Sequence, residues 1–137
     1  METAPWKIEW SDALSMQNPE IDAEHQEFAS LVNDLNTAII GRHSKDDVES
    51  ILKRIVTHSI EHFTHEEKLF VQMQYPKTQE HMQLHSELII TLKKILTEIH
   101  NSEFSKEWIE MGLAIKNALV DHILSDDAQY IEYLRTE

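Results

Sequence analysis

From residue 19 onward, apolar residues recur every three or four positions, the period of one face of an α-helix. The first such segment runs from about 19 to 40 and carries Phe28, Val32, Leu35 and Ile39 on one stripe. Asn18-Pro19 supplies an N-cap and a proline at the first helical position, and Gly41 a stop. Ser44-Lys45-Asp46-Asp47 has the shape of a capping box and opens a second segment, about 45–74, with Val48, Ile51, Ile55, Leu69 and Met73. Tyr75-Pro76 ends it. A third segment, about 79–100, opens at Thr78 and carries Leu88, Leu92, Ile95 and Ile99; a fourth, about 106–124, opens at Ser105 and carries Trp108, Met111, Ile115 and Leu119. A short helical tail is expected near 128–134. Residues 1–17, with Trp6 and Trp10 and no helical period, form an N-terminal arm. Four amphipathic helices of similar length with short connections predict one all-α domain over residues 1–137, an up-down-up-down antiparallel four-helix bundle.

Composition sharpens this picture. The 137 residues include 2 Gly and 3 Pro, too few for the many turns of an all-β sandwich or barrel. There is no Cys, which removes disulfides, thiolate metal sites and Cys nucleophiles. The formal net charge of −13 disfavours nucleic acid and anionic membrane as partners. No apolar run approaches a membrane span, and the N-terminus lacks a basic start and an apolar stretch, so a soluble, cytoplasmic monomer is expected.

Against this background the chain holds 9 His. Periodicity places five of them on the apolar faces. His25 lies three residues before Phe28, and His62 seven residues after Ile55, with Glu66 one turn on. His81 and His85 form an i, i+4 pair in line with Leu88 and Leu92, and His122 follows Ile115 by seven. A single buried His is ordinarily held by a hydrogen bond. Five His and a Glu converging from four helices would each cost about 1–3 kcal/mol or more to bury unpaired. A metal removes that cost. His43, His58, His65 and His100 fall on flanks, in a loop or at a helix end, and are expected to be bystanders.

His58-Ser59-Ile60-Glu61-His62 matches an H-x-x-E-H zinc-protease pattern, but that reading leaves His25, His81, His85 and His122 unexplained. Five His and a carboxylate exceed the needs of one tetrahedral zinc, so two metals are the economical solution. The Glu-x-x-His pairs of ferritin-like di-iron sites are absent from the chain, which disfavours iron storage.

The segments Ile21-Asp22-Ala23-Glu24-His25, His62-Phe63-Thr64-His65-Glu66-Glu67, Tyr75-Pro76 with His81 and His85, and His122-Ile123-Leu124-Ser125-Asp126-Asp127 together resemble the hemerythrins, in particular the single-domain bacterial ones. The resemblance runs from about Trp10 to Tyr133. It implies two iron ions with an oxo or hydroxo bridge. His81, His85 and His122 would hold one iron, and His25 and His62 the other, which keeps an open position. Glu66 and Asp127 would bridge them. Five residues after His122 is about 140° round an ideal helix, so the helix must loosen there to turn Asp127 inward; Asp126 is the rival on local geometry. The implied activity is reversible O2 binding as hydroperoxide, for transport, storage or delivery to an oxygen-consuming enzyme. Phe28, Phe63 and Leu119 are expected to form the apolar O2 pocket. The alternatives are a di-iron peroxidase or oxidase, a nitric-oxide-handling enzyme, or an oxygen sensor. One departure stands out: Ala118 occupies the place of a Trp frequent in the family, which leaves room beside His122, partly filled by Phe28.

Overall fold

The computed structural model describes residue 8 and residues 19–136; the side chains of residues 125–127, 131 and 134–136 lie outside the description. The expected arm, the Asn18 cap and the Asp127 carboxylate therefore fall outside the described residues.

The element order is α1 (Pro19–Ile40), α2 (Lys45–Gln72), α3 (Thr78–His100), α4 (Lys106–Asp121), a π-helical turn (His122–Asp127) and α5 (Ala128–Thr136). Each of the four long helices packs on its neighbours in sequence, and α4 returns to α1, which closes the four-helix bundle. The caps follow from side chains. Ser44 accepts from the Asp47 amide at 3.2 Å and Ser105 from the Glu107 amide at 3.2 Å, each satisfying one of the orphan donors of a first helical turn.

The apolar stripes meet in two clusters. The larger includes Val32, Leu35, Val48, Leu52, Ile55, Leu92, Ile99, Trp108 and Ile115; the smaller comprises Ile21, Phe70, Tyr75, Ile123 and Tyr130. Between them, on every long helix, lies a buried polar layer: His25 on α1, His62 and Glu66 on α2, His81 and His85 on α3, and His122 where α4 ends. Apolar packing above and below thus fixes the height of the polar residues. Leu69 is half-buried beside the smaller cluster.

At Gly112, α4 comes close to α1. A Cβ there would meet Asn36 Oδ1 at 2.1 Å. Asn36 is buried and its amide donates to Val32 O at 3.2 Å and Gly112 O at 3.4 Å.

α1 ends at Ile40 before Gly41 and α2 opens at Lys45, as expected, although the left-handed residue of the turn is Arg42, at φ 54°. The later boundaries differ from expectation. α2 stops at Gln72 rather than 74, because Gln74 turns to φ 55° and cannot continue the helix. Met73 is consequently not a core residue; it is 39% exposed, and its carbonyl accepts from Tyr133 Oη at 3.2 Å. α3 begins at Thr78, where the hydroxyl donates to Tyr75 O at 2.6 Å and the N-cap position is Lys77, without a side-chain cap. Finally, the fourth helix does not end at 124. It passes through the π turn into α5, which runs to Thr136 rather than 134. This turn is the loosening expected after His122. Its i→i+5 ladder brings positions five apart toward one face.

Candidate metal centre

Two groups of potential ligand atoms lie in the polar layer, the atoms of each within 4.8 Å of one another: Glu66, His81, His85 and His122, and His25, His62 and Glu66. All are buried, and Glu66 belongs to both. The five imidazoles and the carboxylate singled out by helical period are therefore brought together, from all four long helices.

The geometry suits cations. The rings of His81, His85 and His122 stand 4.7–5.1 Å apart, with interplanar angles of 67–76°. They converge from three directions instead of stacking. On the other side, His25 Nε2 and His62 Nε2 face each other at 3.2 Å. Glu66 Oε1 sits 3.2 Å from His62 Nε2 and 3.4 Å from His85 Nε2, between the two groups.

Outer carboxylates orient the rings. Glu67 Oε2 accepts from His85 Nδ1 at 2.8 Å. With that nitrogen donating, neutral His85 turns the lone pair of Nε2 inward, where the buried atom has no hydrogen-bond partner among the described residues. Glu24 likewise binds His62 Nδ1, and its other oxygen accepts from His65 Nδ1 at 2.6 Å. His58 Nε2 donates to the Glu24 carbonyl at 3.0 Å. A carboxylate behind a ligating imidazole fixes its tautomer and raises its basicity. Burial presses the His62 pKa down, but the carboxylates of Glu66 and Glu24 outweigh it and hold the group above the usual 6.5.

Inward lone pairs, buried carboxylate oxygens and outer-shell acceptors are the chemistry of a metal site, and the donors fit one. Imidazole with carboxylate suits iron, zinc, copper or nickel.

Three of the four bystander histidines have identified partners. His58 and His65 hold Glu24, and His100 Nδ1 binds Glu49 at 2.6 Å, far from the polar layer. Glu24 and Glu67 were not anticipated from the pattern. Their signal was adjacency, since each neighbours a ligand position in sequence.

Of the three expected pocket residues, Phe28 and Leu119 line a cavity of about 10 Å³ beside His25, together with Ile8, Ala29, Val120 and Ile123. Phe63 is placed elsewhere: its ring lies flat on His85, with centroids 3.9 Å apart. Ala118 opens on a groove between α3 and α4 whose described lining includes His122 and not Phe28.

A helical bundle with a buried His and carboxylate layer is thus a candidate metalloprotein of the binuclear kind. The family model for the hemerythrin HHE cation binding domain matches residues 17–134, and the chain belongs to that family. It is 25% identical over 126 residues to a bacteriohemerythrin of Pseudomonas aeruginosa, covering 92% of this chain and 80% of the relative. It is 25% identical over 128 residues to a myohemerythrin of Theromyzon tessulatum, covering 92% of each. A bacteriohemerythrin of Campylobacter jejuni is 21% identical over 121 residues, 88% of this chain and 90% of the relative. Among the described residues, no helix is long and apolar enough to cross a membrane.

Proposed function

We propose that this chain binds O2 reversibly at a pair of iron ions. His81, His85, His122 and Glu66 would hold one ion, and His25, His62 and Glu66 the other, with Asp127 as second bridge. The observation that carries this reading is the asymmetry of the two donor groups around a shared Glu66. Three imidazoles would serve one ion and two the other, so the second group supplies one protein donor fewer. Bound there, a pair of ferrous ions would supply the two-electron chemistry that reversible O2 binding needs.

The protein's part is to position and to exclude water. The cavity at His25 is apolar apart from the imidazole, and at about 10 Å³ it is at the threshold for a single water. Phe28 and Leu119 keep it dry, which favours return of O2 over irreversible oxidation. Phe63 packs on His85 and 5.8 Å from His62, and so stiffens both donor groups. The chain would serve as a cytoplasmic carrier or store, delivering O2 to an oxygen-consuming enzyme.

One anaerobic experiment tests the reading. The protein is reduced, its iron counted, O2 added, and O2 then removed under argon. Two irons and return of the colourless diferrous spectrum are expected. Irreversible oxidation with product release would instead make this an oxidase or peroxidase.

A further inference from the structure

Two surface grooves reach the metal-capable residues. One, of about 370 Å³ between α3 and α4, is lined by Leu84, Glu87, Leu88, Ala118, Asp121 and His122. The other, of about 380 Å³ between α2 and α3, touches His85 among Ile60, Phe63, Ile89 and Ile90. A larger opening of about 640 Å³ between α1 and α2 is lined by none of the six convergent donors.

We propose that the α3–α4 groove is the route by which a divalent cation enters the centre, with Glu87 and Asp121 at its mouth and His122 the first buried ligand it meets. This rests on the metal-centre reading above. A hydrated dication sheds water only as other donors replace it, so an entry path needs donors spaced along its length. The α3–α4 groove has them. Glu87 and Asp121 are exposed carboxylates on facing helices. His122, 4% exposed, lines the groove and also belongs to the four-donor group. Ala118 contributes only a methyl group to the wall beside it.

The α2–α3 groove lacks that ladder. Half of its lining is isoleucine and phenylalanine, its one carboxylate, Glu67, is engaged with His85 Nδ1, and the Phe63 ring covers the His85 face at 3.9 Å. The cavity at His25, about 10 Å³, is too small for a hydrated ion.

The test is Co(II) uptake by the metal-free full chain, with the loading rate and the final stoichiometry measured separately by absorbance. Ala118→Trp fills the groove and should slow loading by ~10-fold or more without changing the number of ions finally bound. Glu87→Gln with Asp121→Asn adds no bulk and should slow loading ~10-fold at low salt. That difference should vanish near 1 M salt, where charges are screened within about 3 Å. Ser86→Trp, which fills the α2–α3 groove instead, should load at the wild-type rate. Wild-type loading by A118W, no low-salt effect of the carboxylate pair, or slowing by S86W overturns the route. Should A118W fail to fold, the carboxylate pair still decides. A wild-type chain that binds no Co(II) at equilibrium overturns the metal centre and its route together, whereas full binding at an unaltered rate in the variants overturns the route alone.

Discussion

At the scale of single residues, the polar layer depends on partners that are not ligands themselves. Glu24 binds two imidazoles, His62 and His65. Glu24→Gln keeps the shape but replaces one acceptor oxygen with an NH2 donor facing an N–H. Metal affinity at the His25/His62 side should fall ~10–100-fold, as measured by competition with a chelator. Tyr130 gives a second prediction. Burial first, then the charge of Glu66 and the neighbouring Tyr75, push its phenol up to about 12. The unfolded chain ionises this group from about 10, so the stability it contributes is complete below pH 10 and is lost as pH rises through 12. Unfolding titrations should therefore show wild type losing more stability than Tyr130→Phe between pH 10 and 12. The six donors were legible in the sequence because they ride the apolar face, where period alone separates them from surface His. Glu24 and Glu67 were not, because they sit one position off that face, where a solvated carboxylate looks the same as an outer-shell one.

Helices were legible where apolar period and capping side chains agreed, as at Ser44 and Ser105. They were less so where backbone geometry decided. The left-handed turn fell on Arg42 although Gly41 stood next to it, and Gln74 ended α2 with no glycine to announce it. The close crossing of α1 and α4 was also invisible, since nothing in the local pattern says that Gly112 faces Asn36. It is testable. Gly112→Ala improves helix propensity by about 1 kcal/mol, yet its Cβ would lie 2.1 Å from Asn36 Oδ1. Overpacking should win, with a net loss of ~1–3 kcal/mol in denaturant unfolding. Combining it with Asn36→Ala should give less than the sum of the two single losses, because the clash is then removed.

For the whole molecule, the buried polar layer lies between two apolar clusters, so metal and fold are linked. An ion that binds the native chain alone should add about 4 kcal/mol of stability at 1,000 times its Kd. Thermal unfolding in excess Co(II) should occur well above that in chelator; equal midpoints would sever the link.

The π turn carries a consequence for how many residues the chain can gain or lose. An i→i+5 turn houses one residue more than the α-helix around it. Between His122 and Asp127 the chain therefore holds a surplus residue, and insertion and deletion there are not equivalent. Deleting the 46%-exposed Leu124 lets the turn relax to a plain α-helix while α5 keeps its place, with Tyr130 still edge-on to Phe70 at 4.4 Å. Adding an alanine after Leu124 has no such slack to use. It should swing Tyr130 by about 100°, and thermal unfolding should show the inserted chain, not the shortened one, to be the weaker.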